Sequence, residues 1–216
     1  MSLVTIDQKL NSHFNPIDLF IRLNNKPFPI KENSFEMWNS YIDKEIIEEI
    51  KKNVEKYGSW FYLRQNGIRM ENEELYTSLA YLEYKHPVSV SDENDPLKHL
   101  DFYHKSTGII ARIKSKNDIT KVLATASTKP EVRSDFLKSI KVTESFIKKL
   151  RIILIDQDLE DETAYLCDEL DNIIDVKDER YFRRKLQDFY LLWFILHGLN
   201  QELVIAKRTD LKKGSS

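Results

Sequence analysis

The feature that most constrains this chain is a broad apolar face near its end. Tyr181, Phe182, Leu186, Phe189, Tyr190, Trp193 and Leu196 recur at one-, three- and four-residue steps. That period belongs to a helix with a wide buried stripe and is incompatible with a strand. The same period recurs upstream. Phe35, Trp38, Ile42, Ile46, Ile50 and Val54 define one long amphipathic helix, with Asn33 or Ser34 as its cap. Leu75, Leu79 and Leu82 define another over residues 71–84. Further helices are expected near 118–125, 130–151, 160–174 and 178–200. Asp95-Pro96 reads as the cap of one more, with Leu97, Leu100 and Tyr103 on one face and Gly108 either breaking it or weakening it. Only 152–155 and 203–206 look strand-like, too little for a sheet. The expected class is all-α, a multi-helix bundle formed as one body or as two helical subdomains. The strongest linker signal is 86–96, with its prolines and polar run, between helical regions 1–85 and 97–213.

The amino-terminal part is punctuated by proline. Asn15-Pro16 is a cap followed by a first-turn proline, and Ile17, Phe20, Ile21 and Asn24 follow at helical spacing. Pro27 and Pro29 cannot continue that helix, so two helices are expected around a stiff elbow.

With 216 residues, 41% hydrophobic and 31% charged, the chain reads as a soluble globular protein with a sizeable core. Its richest apolar run, 189–199, falls short of the roughly 20 residues that span a bilayer. Asp7, Gln8 and Lys9 interrupt any early signal-like segment. The single cysteine, Cys167, excludes an internal disulfide framework and reads as a small core residue. The expected compartment is the cytoplasm. Gly-Ser-Ser at residues 214–216, and Met-Ser-Leu at the start, read as residues appended for expression.

Catalytic patterns were weighed and set aside. His99 and His104 are five apart on an expected helix and do not share a face, which disfavours a metal pair. The acidic run Asp156, Asp158, Glu160, Asp161, Glu162 superficially resembles a calcium loop. It has Asp161 where the loop needs glycine and Cys167 where a bidentate glutamate belongs, so it reads as a solvated helix entry. No P-loop, Gly-x-Ser-x-Gly or His-Glu-x-x-His motif occurs. Asp175-x-Lys177 lacks the partner acids of a nuclease site.

A net charge of −2 gives no global attraction to a polyanion, so that attraction must come from local segregation. Two basic clusters are candidates: Lys148, Lys149 and Arg151, and Arg180, Arg183, Arg184 and Lys185. As a nucleic-acid interface they would neutralise phosphates. As structural groups, the first would favour its helix dipole and both would pair with the acids of 156–179. The structural reading is preferred, and the second cluster, in an opening turn, is the more informative.

Phe20-Ile-Arg-Leu-Asn24, followed by a turn and then Glu36-Met-Trp-Asn39-Ser40, resembles the GmrSD-type restriction endonuclease N-terminal family of the ParB/sulfiredoxin-like superfamily. Phe20 and Asn24 match its Phe-x-x-x-Asn element, and Glu36, Asn39 and Ser40 match the helix that follows. Arg69-Met70-x-x-Glu73 resembles the next helix entry. Lys26-Pro27 replaces the usual glycine turn and Trp38 the common arginine. The family's Asp-Gly-Gln-Gln-Arg segment is absent from this sequence and would lie before residue 1, and no HNH-type segment follows. The resemblance spans about residues 16–85. It implies the non-catalytic helical portion of a restriction or anti-phage defence protein, supporting a nuclease or nucleotide site and contacting duplex DNA. Asn24 and Arg22 would then face the site completed by the missing half of the chain, or Asn24 would simply cap its helix. The fragment itself would hold no cofactor, and its parent would use a nucleoside triphosphate and a divalent cation. The alternative is a scaffold domain with no nucleic-acid role, self-associating through the exposed part of the 182–193 face.

Overall fold

The computed structural model describes residues 42–61, 71–87, 98–105, 108–155, 162–174 and 184–214. The expectations for 1–41, including the proline elbow, Arg22 and Asn24, lie outside these residues, as do those for Arg180, Phe182 and Arg183.

Helices make up 77% of what is described, in eight segments, and the all-α expectation holds. They are α1 (Lys44–Tyr57), α2 (Glu71–Lys85), α3 (Lys116–Thr128), α4 (Pro130–Leu154), α5 (Glu162–Ile174), α6 (Leu186–Leu196), α7 (Gln201–Ala206) and α8 (Arg208–Gly214). Between α2 and α3 lies an antiparallel hairpin, β1 (Leu100–Lys105) and β2 (Gly108–Ile113).

The 25-residue α4 organises the bundle. Phe136, Ile140, Thr143, Ile147, Leu150 and Leu154 repeat at three- and four-residue steps, and all are buried. Pro130 opens the helix, where its missing N–H costs nothing. Helices α1, α2, α3, α5, α6, α7 and α8 all touch it. The other central rod is α2, buried on nearly every side from Glu74 to Glu83. Its polar groups are satisfied locally: Thr77 Oγ1 donates to the Glu73 carbonyl (2.7 Å), and Tyr76 Oη donates to Ile140 O (3.0 Å). An aromatic knot joins three elements, with Phe61 edge-on to Phe189 (4.9 Å between centroids) and to Phe146 (6.4 Å). Such pairs contribute about 0.5–1.5 kcal/mol each beyond their burial. Side chains from before and after segment 86–96 interlock in this one core.

Three local expectations are corrected. The segment expected as a helix with Leu100 and Tyr103 on one face is the hairpin, paired Leu100↔Ile113 through Lys105↔Gly108. Leu100 and Phe102, answered by Ile109, Ala111 and Ile113, form a period-two set. β-Branched Ile109 and Ile110 favour a pleat. Gly108 at φ 129° adopts a backbone that other residues rarely take. Conversely, 152–155 and 203–206, read as strand-like, belong chiefly to the end of α4 and to α7. The apolar stripe of α4 simply continues through Ile153 and Leu154. The long helix expected from residue 35 begins at Lys44, because Asp43 (φ −58°, ψ 135°) is its N-cap and accepts from Glu45 N.

Candidate functional site

Among the described residues, the basic side chains singled out in the sequence are not all offered to solvent: Arg184 and Lys149 are turned into the fold. Arg184 is 2% exposed and precedes α6. Its Nε donates to Asp171 Oδ1 (2.6 Å), one terminal nitrogen to the Cys167 carbonyl (3.1 Å) and the other to the Trp60 carbonyl. This fork clamps the end of the 42–61 segment to α5 and presents nothing to solvent. The cause is geometric: Asp171 and Cys167 lie one turn apart on α5, beside the Trp60 carbonyl, and one planar guanidinium reaches all three. Lys185 is exposed, and its N–H donates to Asp188 Oδ2 (2.9 Å), a helix-entry contact. Burial raises the Asp188 carboxyl above its usual range, against the opposing effect of Lys185.

The first cluster separates in the same way. Because α4 runs on to Leu154, Lys148 and Lys149 are not at its end. Lys149 crosses to α6, placing Nζ 3.4 Å from the Leu196 and His197 carbonyls. It therefore supplies a cation to another helix's C-terminus, and burial lowers its pKa. Lys148 lies 3.8 Å from Glu144. Glu144 also accepts from Tyr57 Oη (2.7 Å) and from Lys56, and these bonds hold its carboxyl below the usual range. Burial and this carboxylate push Tyr57 up to about 12. Arg151 is exposed.

The structure also assembles a polar junction that sequence spacing does not show. Glu83, on the last full turn of α2, is buried; it accepts from Trp193 Nε1 (2.9 Å) and lies 3.3 Å from His197 Nδ1. Trp193 and His197 stack at 4.4 Å between centroids. One turn on, His86 is 1% exposed and places Nε2 3.0 Å from His99 Nδ1. One imidazole N–H bridges these two nitrogens, so the contact tolerates one proton between them and not two. Burial lowers the pKa of His99, with Lys85, Lys98 and Lys114 acting in the same direction and Asp118 against them. Backbone geometry places His99 there, since its carbonyl accepts from Lys114 N (3.0 Å) and closes the base of the hairpin. Neither His99 nor His104 is on the expected helix: His99 precedes β1 and His104 lies within it. Among the described residues, no set of three or more His, Cys, Asp or Glu side chains is placed to hold a metal ion.

The third feature is the hairpin surface. Alternation places Leu100, Phe102 and Ala111 toward the bundle, where Phe102 meets Phe194 of α6 edge-on at 4.8 Å. Asp101, Tyr103, Ile110 and Arg112 occupy the opposite face. Tyr103 is 46% exposed, and the Arg112 guanidinium stands 5.5 Å from its ring centroid. Phe194, Ile195 and Ile109 add exposed apolar area. The aromatic face expected to meet another chain is mostly core: Phe189, Tyr190 and Trp193 are buried. Cys167 is half-buried against the core, its Sγ 3.3 Å from the Ser59 carbonyl.

Comparisons with family models, with curated proteins and with solved structures gave no match. What stands is an all-α multi-helix protein with a small hairpin, in which no described helix is long and apolar enough to cross a membrane.

Proposed function

We propose that this chain is the helical portion of a GmrSD-like restriction or anti-phage defence protein. In this reading it braces a nuclease or nucleotide site and engages duplex DNA. The parent's chemistry would use a nucleoside triphosphate and a divalent cation, with Asn24 and Arg22 turned toward that site. The supporting observation is how α1, which follows the resembling segment in sequence, is anchored. Asp43 caps α1 and also accepts from Arg133 of α4 at 3.1 Å. Asp43 is largely buried, so this pair fixes the start of α1 against the central helix. A brace for an adjoining site needs such a fixed point.

Among the cations first considered, Lys148, Arg151, Lys185 and, outside the described residues, Arg180 and Arg183 remain candidates for phosphate contact, whereas Arg184 and Lys149 are committed to the fold. The test is binding of the full chain to a short labelled duplex, followed by anisotropy across a salt series. Affinity should fall steeply as salt rises, the log–log slope changing by about 0.9 per neutralised phosphate. No binding at low salt would remove the DNA role.

A second reading is a scaffold that self-associates or docks another protein. Exposed Phe194, Ile195 and Ile109 favour it. Sedimentation across a wide concentration range decides: a constant monomer mass counts against self-association.

A further inference from the structure

The hairpin carries a local excess of cations in a chain that is acidic overall. Residues 98–105 and 108–114 carry Lys98, Lys105, Arg112 and Lys114 against Asp101 alone. Asp101 is itself engaged, 3.5 Å from Lys114 Nζ and 3.5 Å from Tyr103 Oη. Net charge over the whole chain is −2, so this excess is local.

We infer that the outward face of the β1–β2 hairpin, centred on Tyr103 and Arg112, docks on duplex DNA. This inference rests on the nucleic-acid reading above and assigns it a surface. An antiparallel two-stranded ribbon has the width that the major groove admits. The register makes Tyr103 and Arg112 diagonal neighbours, Tyr103 opposite Ile110 and Arg112 opposite Asp101. The ring supports the guanidinium plane by cation–π attraction. That support restricts a long, exposed side chain before binding, and its planar N–H fork suits a phosphate or a guanine edge. Lys98 and Lys114 flank the base of the ribbon, where a phosphate strand would run. The ribbon is held rigidly enough for this use: Leu100 and Ala111 are buried, and Phe102 packs on Phe194. A vesicle surface fits less well, because Tyr103 is the one large ring on the outward face.

The test uses the full chain and the same labelled duplex. Arg112→Glu should weaken binding about tenfold or more and lower the salt slope by about one. Tyr103→Ala should weaken it by a smaller factor, and Lys52→Glu, on exposed α1, should leave it within about twofold. Absence of binding by the unaltered chain overturns both this inference and the DNA reading. Binding that survives Arg112→Glu, or that is lost instead in Lys148→Glu/Arg151→Glu, overturns the hairpin assignment alone. Equal affinity for heparin or anionic vesicles overturns the commitment to duplex DNA. Amide shift changes in the unaltered protein on adding duplex provide a readout independent of any variant's folding. They should concentrate in 98–114, and concentration elsewhere overturns the assignment.

Discussion

Arg184 and Arg112 carry the same side chain and have opposite uses. Arg184 is 2% exposed, with its guanidinium shared among Asp171 and two main-chain carbonyls. Arg112 lies on an outward strand face over a half-exposed tyrosine. The first arginine stands among other cations in sequence, the second among apolar residues. Crowding of charge along the chain is thus a poor guide to which cations face solvent. A cation beside unsatisfied carbonyls is drawn inward, whereas one on a pleat whose other face is buried must point out.

The largest expected effect tests the interior half of this contrast. Arg184→Met should cost about 3–5 kcal/mol, because it strands a mostly buried Asp171 without its cation and removes a donor from two main-chain carbonyls. Chemical denaturation measures it. Adding Asp171→Leu should recover part of the loss, since the uncompensated charge goes with it. A loss below about 1 kcal/mol would place Arg184 among ordinary surface cations and break the comparison.

Much of the bundle was readable before any coordinates. Helices α2, α3, α4 and α6 follow from apolar three- and four-residue spacing that persists over several turns, and long periodic segments override local strand propensity. The hairpin was missed because Leu100 and Tyr103 fit one turn of helix while Leu100 and Phe102 fit a strand. Over so few residues the two periods are not distinguishable. The useful signal was the pair Ile109-Ile110 directly after Gly108. At the candidate site, residue types were legible and their neighbours were not. Arg184 finds Asp171 thirteen positions earlier and the Trp60 carbonyl 124 positions earlier. His86 meets His99 only because the hairpin base is brought back onto the end of α2. No local pattern encodes such pairings, because they depend on how helices pack.

A smaller effect is expected where the exterior ribbon meets the interior. The folded state lowers the pKa of His99, so on acidification the unfolded chain takes up that proton first. The contribution to stability is complete above the ordinary imidazole value of about 6.5 and is lost as pH falls through the lower folded value. A second proton also puts N–H against N–H across the His86–His99 contact. Lys85, Lys98 and Lys114 oppose that added charge and Asp118 alone favours it. Melting temperature should therefore decline as pH falls below about 6.5, with hydrogen exchange rising first in 100–113. His99→Gln should flatten that decline. The carboxylate contribution of Glu144 is lost only lower, as pH falls below its ordinary carboxyl value, so the two are separable. A flat profile in the unaltered protein would mean that the ribbon is not held through this pair.

The smallest expected effect completes the contrast, and its smallness is the point. Arg112→Ala should change stability by no more than about 0.5 kcal/mol, as exposed positions without buried partners usually do. The cation–π contact with Tyr103 is solvent-exposed and contributes at the low end of its range, about 0.5 kcal/mol. Parallel urea titrations of Arg112→Ala and the unaltered protein read the difference. A cost approaching that of Arg184→Met would show that Arg112 holds the ribbon on the bundle, and the two arginines would then share one structural role. A negligible cost leaves Arg112 without a use inside the fold. Its side chain, placed over Tyr103 on a ribbon seated by Leu100, Phe102 and Ala111, then stays available for the proposed contact with DNA.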